Sequence, residues 1–263
     1  MMKKVLISLL FGCFVFGMVL GVAAEEKRPD RVLWLIIERE IDPSMDKANY
    51  LANKEYVKIR KAYNFPCPIY VSREGNIYSF ALPVGTYGQD SDYAKAVGAF
   101  WDRCHENATD EEKGKLAKIY KTFDEARVSV NKKMAWRRAS LSYRPENPRL
   151  KSEEARVVYR SFYHVKQNKQ MEFVKVVRQY IELCKVNEMA DGFGCYEGAI
   201  GEDLPIYAFA AHFKNEEDLK EQIEKNTTEM GQKGKDLLNK AKSLCKKVEH
   251  SVSEIIPEIS YYK

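Results

Sequence analysis

Apolar and polar positions along the chain fall into two successive patterns with the same order of elements. Val32 to Glu38 is a β-rich run, and Asp42-Pro43 then supplies an N-cap and a first-turn proline, which predicts a helix to about Tyr63. Ile69 to Ser72 and Asn76 to Val84 are two further β-rich runs joined at Arg73-Glu74-Gly75, the signature of a hairpin. Tyr93, Val97, Phe100, Trp101 and Cys104 have helical spacing. After a polar break at Asn107 to Asp110, a second helical run carries Leu116, Ile119, Tyr120 and Phe123. Met134 to Tyr143 is predicted to close this half as a strand.

The second half starts with a strand at Val157 to Val165. Asn168 then caps an amphipathic helix that turns Met171, Val174, Val177, Ile181 and Cys184 inward. Gly192 to Phe213 reads as a hairpin, and Asn215 caps a helix interrupted at Gly231 to Gly234. The same spacing resumes through Leu237, Leu238, Ala241, Leu244 and Val248, and a last strand is expected at about Ile255 to Tyr262. Short echoes support a repeat. Arg31-Val-Leu-Trp-Leu-Ile-Ile returns as Arg156-Val-Val-Tyr-Arg-Ser-Phe, and Ile77-Tyr-Ser-Phe-Ala returns as Ile206-Tyr-Ala-Phe-Ala, at offsets of 125 and 129 residues. Leu141-Ser-Tyr against Ile259-Ser-Tyr is a third and weaker echo.

Both halves therefore read β-α-β-β-α-β, the split βαβ arrangement, in which a four-stranded antiparallel sheet carries its helices on one face. The bare face must be covered, and the second sheet of the same chain is the simplest cover. The fold class expected is α+β: tandem ferredoxin-like βαββαβ repeats packed sheet-to-sheet as a pseudo-dimeric α+β barrel. Residues 31–143 form the first repeat and 155–263 the second, with 144–154 as a linker marked by Pro145 and Pro148. On this element order and repeat the chain resembles the dimeric α+β barrel superfamily in its fused single-chain form, which includes antibiotic-biosynthesis-monooxygenase-like and NIPSNAP-like domains. The resemblance implies the barrel. It leaves the reaction open, because the superfamily holds heme-binding enzymes, cofactor-free oxidative enzymes and proteins with no known reaction.

Composition narrows the class. At 263 residues, 45% hydrophobic and 31% charged, with a net charge of +5, the chain is neither disordered nor a polytopic membrane protein. Lys3 and Lys4 precede an uncharged run from Val5 to Val22, and Ala23-Ala24 stand before Glu25-Glu26-Lys27-Arg28. This is the order of a secretory signal, expected over residues 1–24, giving an exported chain, periplasmic or extracellular, with an N-terminal membrane anchor as the alternative. After cleavage no membrane span is expected. The remaining lysines alternate with glutamates along 215–250, a solvated face that gives no reason to expect nucleic acid. Of the cysteines, Cys184 and Cys195 flank one helix-to-strand connection and are the candidate disulfide. Cys67 with Cys104 is a further pairing, and burial of every thiol as a small hydrophobe is an equal alternative.

Catalytic motifs are absent: there is no CxxC, HExxH, P-loop, GxSxG or GxGxxG after a strand. No catalytic residue, metal ligand set or cofactor is expected, and whether the chain is an enzyme stays open. Heme is the alternative cofactor, with His164 as the axial candidate. His164 and His212 are late in neighbouring antiparallel strands, about 15–20 Å apart at opposite sheet ends, and so should not share a metal. Strand alternation sets Trp34, Ile36 and Glu38 against Leu33, Leu35 and Ile37, and Tyr159, Ser161 and Tyr163 against Val158, Arg160 and Phe162. With the aliphatic set on the helices, Trp34, Glu38, Tyr159, Ser161, Tyr163 and His164 are the expected ligand-binding residues of the interior. Such a lining suits a small apolar or aromatic ligand. Arg160 fits poorly on the helix side of this assignment. The functions expected are binding of such a ligand or of a protein partner, with a monooxygenase-like or heme-handling oxidoreductase and a structural cell-envelope protein as alternatives. The assembly expected is a monomer with an internal pseudo-dimer, or a weak homo-oligomer.

Overall fold

The computed structural model describes residues 30–85, 90–201 and 203–262, so the expected leader and Cys13 lie outside the described residues. The first half contains β1 (Arg31–Ile41), α1 (Asp46–Ala62), β2 (Tyr70–Glu74), β3 (Ile77–Gly85), α2 (Asp90–Asn107), α3 (Asp110–Ala126) and β4 (Arg127–Tyr143). The second contains β5 (Val157–Val165), α4 (Gln170–Val186), β6 (Phe193–Ile200), β7 (Ile206–Phe213), α5 (Glu216–Ser243) and β8 (Cys245–Ile255). Local chemistry sets several of these boundaries. Asp42 accepts from the Ser44 amide at 2.8 Å with Pro43 behind it. Thr109 and Glu112 form a reciprocal capping box that starts α3. Asn215 caps α5 by accepting from the Asp218 amide at 2.8 Å, and Gly231, at φ 58°, breaks that helix where an L side chain would be strained.

The strand order is β4-β1-β3-β2 in one half and β8-β5-β7-β6 in the other, every pair antiparallel. The halves join at both edges. Ser72 of β2 stands opposite Ile255 of β8, and Arg137 of β4 opposite Tyr196 of β6, which closes one eight-stranded barrel. The β2–β8 seam is short, with Ser72–Ile255 and Arg73–Glu254 as its pairs, and β6 covers β4 from Met134 onward. The helices lie outside, over two cores. Leu33, Phe80, Phe100 and Cys104 are central to the first, and Leu141, Phe173, Cys195 and Tyr207 to the second. No helix of the described residues is long and apolar enough to cross a membrane.

Two expectations are corrected. The last strand is not Ile255 to Tyr262: α5 ends at Ser243, and the strand runs from Cys245 to Ile255. Leu244 and Val248 continue the helical spacing, yet Val248, His250 and Val252 also alternate as in a strand, and the open edge of β5 takes the segment. Cys184 and Cys195 do not form the expected disulfide. They are separate thiols in the second core, and Cys67, Cys104 and Cys245 are likewise buried and form no disulfide among the described residues. Burial pushes the Cys184 thiol up to about 12 and that of Cys245 to about 11, so both behave as small apolar groups.

One buried charge stands out in the first half. Arg60 of α1 is 7% exposed, its Nε and Nη1 lack hydrogen-bond partners, and its guanidinium lies 4.1 Å from the centre of the Tyr56 ring. Burial lowers its pKa, and only tyrosines pull the other way. A buried donor without an acceptor costs about 1–3 kcal/mol. Arg60→Met, similar in shape and uncharged, is therefore expected to raise stability by about 1 kcal/mol in urea denaturation. A loss of stability would show that the contact with Tyr56 outweighs the unsatisfied donors.

Candidate functional site

Pairing register decides which side chains face the barrel lumen. In β1, Leu33, Leu35 and Ile37 pack against the helices, so Trp34, Ile36 and Glu38 face inward, as expected. In the second half the expected faces are reversed. Tyr163 packs on Phe173 of α4, with ring centres 5.4 Å apart, while Tyr159 and Ser161 bond His250 Nδ1 at 2.7 and 3.0 Å on the outer face. Val158, Arg160 and Phe162 line the lumen instead. The cause is a one-residue slip in the repeat. Ile37 stands opposite Phe80, but the residue opposite the equivalent Phe209 is Ser161, an offset of 124 where the sequence echo gives 125. A slip of one residue moves every side chain to the other face.

The lumen lining follows from the remaining pairs. Tyr70 and Ser72 of β2 align with Ala81 and Ser79 of β3. Gly194 and Tyr196 of β6 align with Ala210 and Ala208 of β7, and Ser251 and Ser253 of β8 with Arg160 and Val158 of β5. Glycine, alanine and serine hold most of these positions. An eight-stranded barrel has an interior about wide enough for its own side chains, and larger side chains lie over these small positions, the Tyr196 ring over Gly194 among them. His212, opposite Val158, keeps an exposed side chain although neighbouring protein partly desolvates its ring.

Three aromatic rings form one wall. Trp34 lies 5.6 Å from Tyr70 and 5.7 Å from Tyr196 between ring centres, the latter edge-on. The Trp34 Nε1 is buried without an acceptor. Arg160 donates from Nη1 to Ser253 Oγ and from Nη2 to Ser72 Oγ, both at 2.8 Å. Burial pushes the Tyr196 hydroxyl above its ordinary value, against the pull of the Arg137 and Arg160 guanidiniums. Glu38 pairs with Lys133 at 3.1 Å.

Of the expected site residues, Trp34 and Glu38 both face the lumen but stand four residues, about 13 Å, apart along β1, while Tyr159, Ser161 and Tyr163 face away from it. His164 faces inward but is four residues along β5 from Arg160, about 13 Å away at strand rise. Its Nε2 is held by Glu249 at 2.7 Å, beside a surface hollow of about 630 Å³ lined also by Asp203, Leu204, Pro205, Lys246 and Lys247. Heme needs a free imidazole nitrogen and an apolar slot, and the surroundings of His164 do not fit it. Among the described residues no three His, Cys, Asp or Glu side chains converge as a metal site. The lumen residues missed in the sequence are Arg160, Tyr70, Tyr196 and Arg137. Arg160 had a signal, the one arginine or lysine in a strand that is mostly apolar and aromatic.

His212 makes the lumen sensitive to acid. Burial lowers its pKa, and Arg160 adds to the shift. The folded state thus binds this proton less tightly than the unfolded state. The stability that depends on a neutral His212 is present above about pH 6.5 and is lost as pH falls below it. Urea midpoints between pH 7.5 and 5.5 should fall for the wild-type chain and fall less for His212→Gln; equal slopes would contradict this.

Compared with known proteins, the chain matches no family model and no curated protein. It is similar to a candidate monooxygenase from Fusobacterium nucleatum, at 10% identity and a TM-score of 0.55, over 89% of this chain and 95% of that one. An anthrone oxidase-like protein aligns at 8% identity and TM-score 0.55, over 87% and 92%. A chlorite dismutase variant from Candidatus Nitrospira defluvii aligns at 7% and 0.51, over 88% and 93%. At these identities the likeness is one of fold. With four antiparallel strands in each half and one closed barrel, the chain has the dimeric α+β barrel fold, both halves being carried on a single polypeptide.

Proposed function

We propose that this chain is an exported binding protein that holds a small planar aromatic molecule in its barrel lumen. The observation that carries this is the wall of Trp34, Tyr70 and Tyr196 facing small residues on β6, β7 and β8. Aromatic rings in offset or edge-on contact give about 0.5–1.5 kcal/mol per pair beyond area burial. Filling the lumen tests the reading. Ala210→Leu is expected to remove calorimetric binding of 1-naphthol while leaving the circular dichroism spectrum unchanged; unaltered binding would put the ligand elsewhere. Export, read from residues 1–24, is tested by N-terminal sequencing of secreted chain, with Glu25 expected as the first residue.

A second reading is oxidation of the bound aromatic molecule, favoured by the likeness to an anthrone oxidase-like protein. Oxygen uptake with anthrone, which would give anthraquinone and water, separates the two. A binder produces no uptake above the uncatalysed rate.

A further inference from the structure

We infer that the lumen selects planar aromatic molecules that carry an oxyanion, a carboxylate or sulfonate, seated on Arg160 and Arg137 against the Trp34–Tyr70–Tyr196 wall. This rests on the lumen being the binding site and adds the charge of its ligand.

Several of the chain's other half-buried cations pair with carboxylates, whereas Arg39 lies over the Phe80 and Phe123 rings. Arg149 reaches Asp191 and Asp218, Arg138 reaches Glu197, and Lys133 reaches Glu38. Arg60 is different again, covered by the Tyr56 and Phe65 rings behind α1. Arg160 instead rests on two neutral hydroxyls, Ser72 Oγ and Ser253 Oγ, with no ion pair among the described residues. Those two bonds occupy two of the five N–H donors of a guanidinium and fix its plane from two strands. The remaining donors suit the two oxygens of a planar oxyanion, for which arginine is the matched partner.

Two further donors lie in the same layer. Arg137 stands opposite Tyr196 across the β4–β6 pair, and Tyr196 packs edge-on to Trp34, whose Nε1 has no acceptor. Tyr196 is thus the common neighbour of Arg137, Arg160 and Trp34. The nearest opposing charges are Glu38, already paired with Lys133, and Glu74, which accepts from Ser253 at 3.4 Å and whose field reaches Arg160. An aromatic acid would supply the rings with a stacking partner and the arginines with a counter-charge.

The test is calorimetric titration of the full chain with 1-naphthoate and with its neutral isostere 1-naphthamide. The expected result is at least about tenfold tighter binding of the naphthoate, weakening as salt rises from about 50 to 500 mM while naphthamide binding stays constant. Arg160→Met should bring naphthoate down to the naphthamide level and remove the salt dependence of its binding. Arg160→Lys, which keeps the charge and loses the fork, should retain part of the preference. Equal wild-type affinities for the two probes, or a salt-independent preference, would overturn the oxyanion inference while leaving the lumen as the site. Absence of binding by both probes to the wild-type chain would overturn both.

Discussion

Phe173→Ala is expected to destabilise the chain by about 3–5 kcal/mol, the cost of removing a large buried ring that neighbours cannot collapse onto. Phe173 is 1% exposed on α4, and its ring centre lies 5.4 Å from Tyr163, 5.1 Å from Tyr207 and 6.4 Å from Phe209. Those partners are on β5 and β7, the two central strands of the second half, so relaxation into the void would bend the barrel wall. Urea denaturation with a two-state fit measures it. A loss below about 1 kcal/mol would mean that α4 does not hold the sheet in the way described. Because closure makes the barrel one unit, unfolding followed by the emission of the three tryptophans, all in the first half, and by circular dichroism should coincide, in the variant as in the wild type.

Arg149→Ala is the second change with a large expected effect, a loss of about 3 kcal/mol. Arg149 belongs to the segment joining the halves, and it donates from Nε to Asp191 at 2.8 Å and from Nη1 to both oxygens of Asp218 at 2.8 and 3.1 Å. Its side chain is 19% exposed, and those of the two aspartates are 12% and 13% exposed, so water screens the cluster only in part. Removing the arginine leaves two partly buried carboxylates with less compensation; Asp191 keeps Asn226 at 3.0 Å and Asp218 keeps the Lys214 amide at 2.8 Å. Arg149→Lys should recover only part of the loss, because an ammonium cannot span both carboxylates in the fork geometry. Equal stability of Arg149→Ala and the wild type in chemical denaturation would contradict the role given to the clamp.

Much of the architecture was legible because the repeat carried its faces with it. Tyr78 and Phe80 of β3 correspond to Tyr207 and Phe209 of β7, and all four point to the helices. The same reasoning failed for β1 and β5. There the echo of Arg31 and Arg156 aligns at a spacing one residue longer than the pairing register, and alternation turns that single residue into a reversed face. Arg160 contained the correction, since a charged side chain on a helix-covered face would need a partner that the sequence did not offer. The small residues Gly194, Ala208, Ala210, Ser251 and Ser253 carry no signal of their own, because their common place on the lumen face appears only once register places them together. The strand from Cys245 to Ile255 was hidden for a related reason: its partners on β5 and β2 are far away in sequence.

The ligand site proposed is the lumen beside Trp34. The chain has three tryptophans, Trp34, Trp101 and Trp136, and Trp101 and Trp136 pack against the first helix-side core. A variant carrying Trp101→Phe and Trp136→Phe leaves Trp34 as the sole reporter. Titration with 1-naphthoate should change its emission saturably, with the same midpoint as calorimetry. Calorimetric binding with an unchanged Trp34 emission would place the ligand outside the lumen and contradict the account.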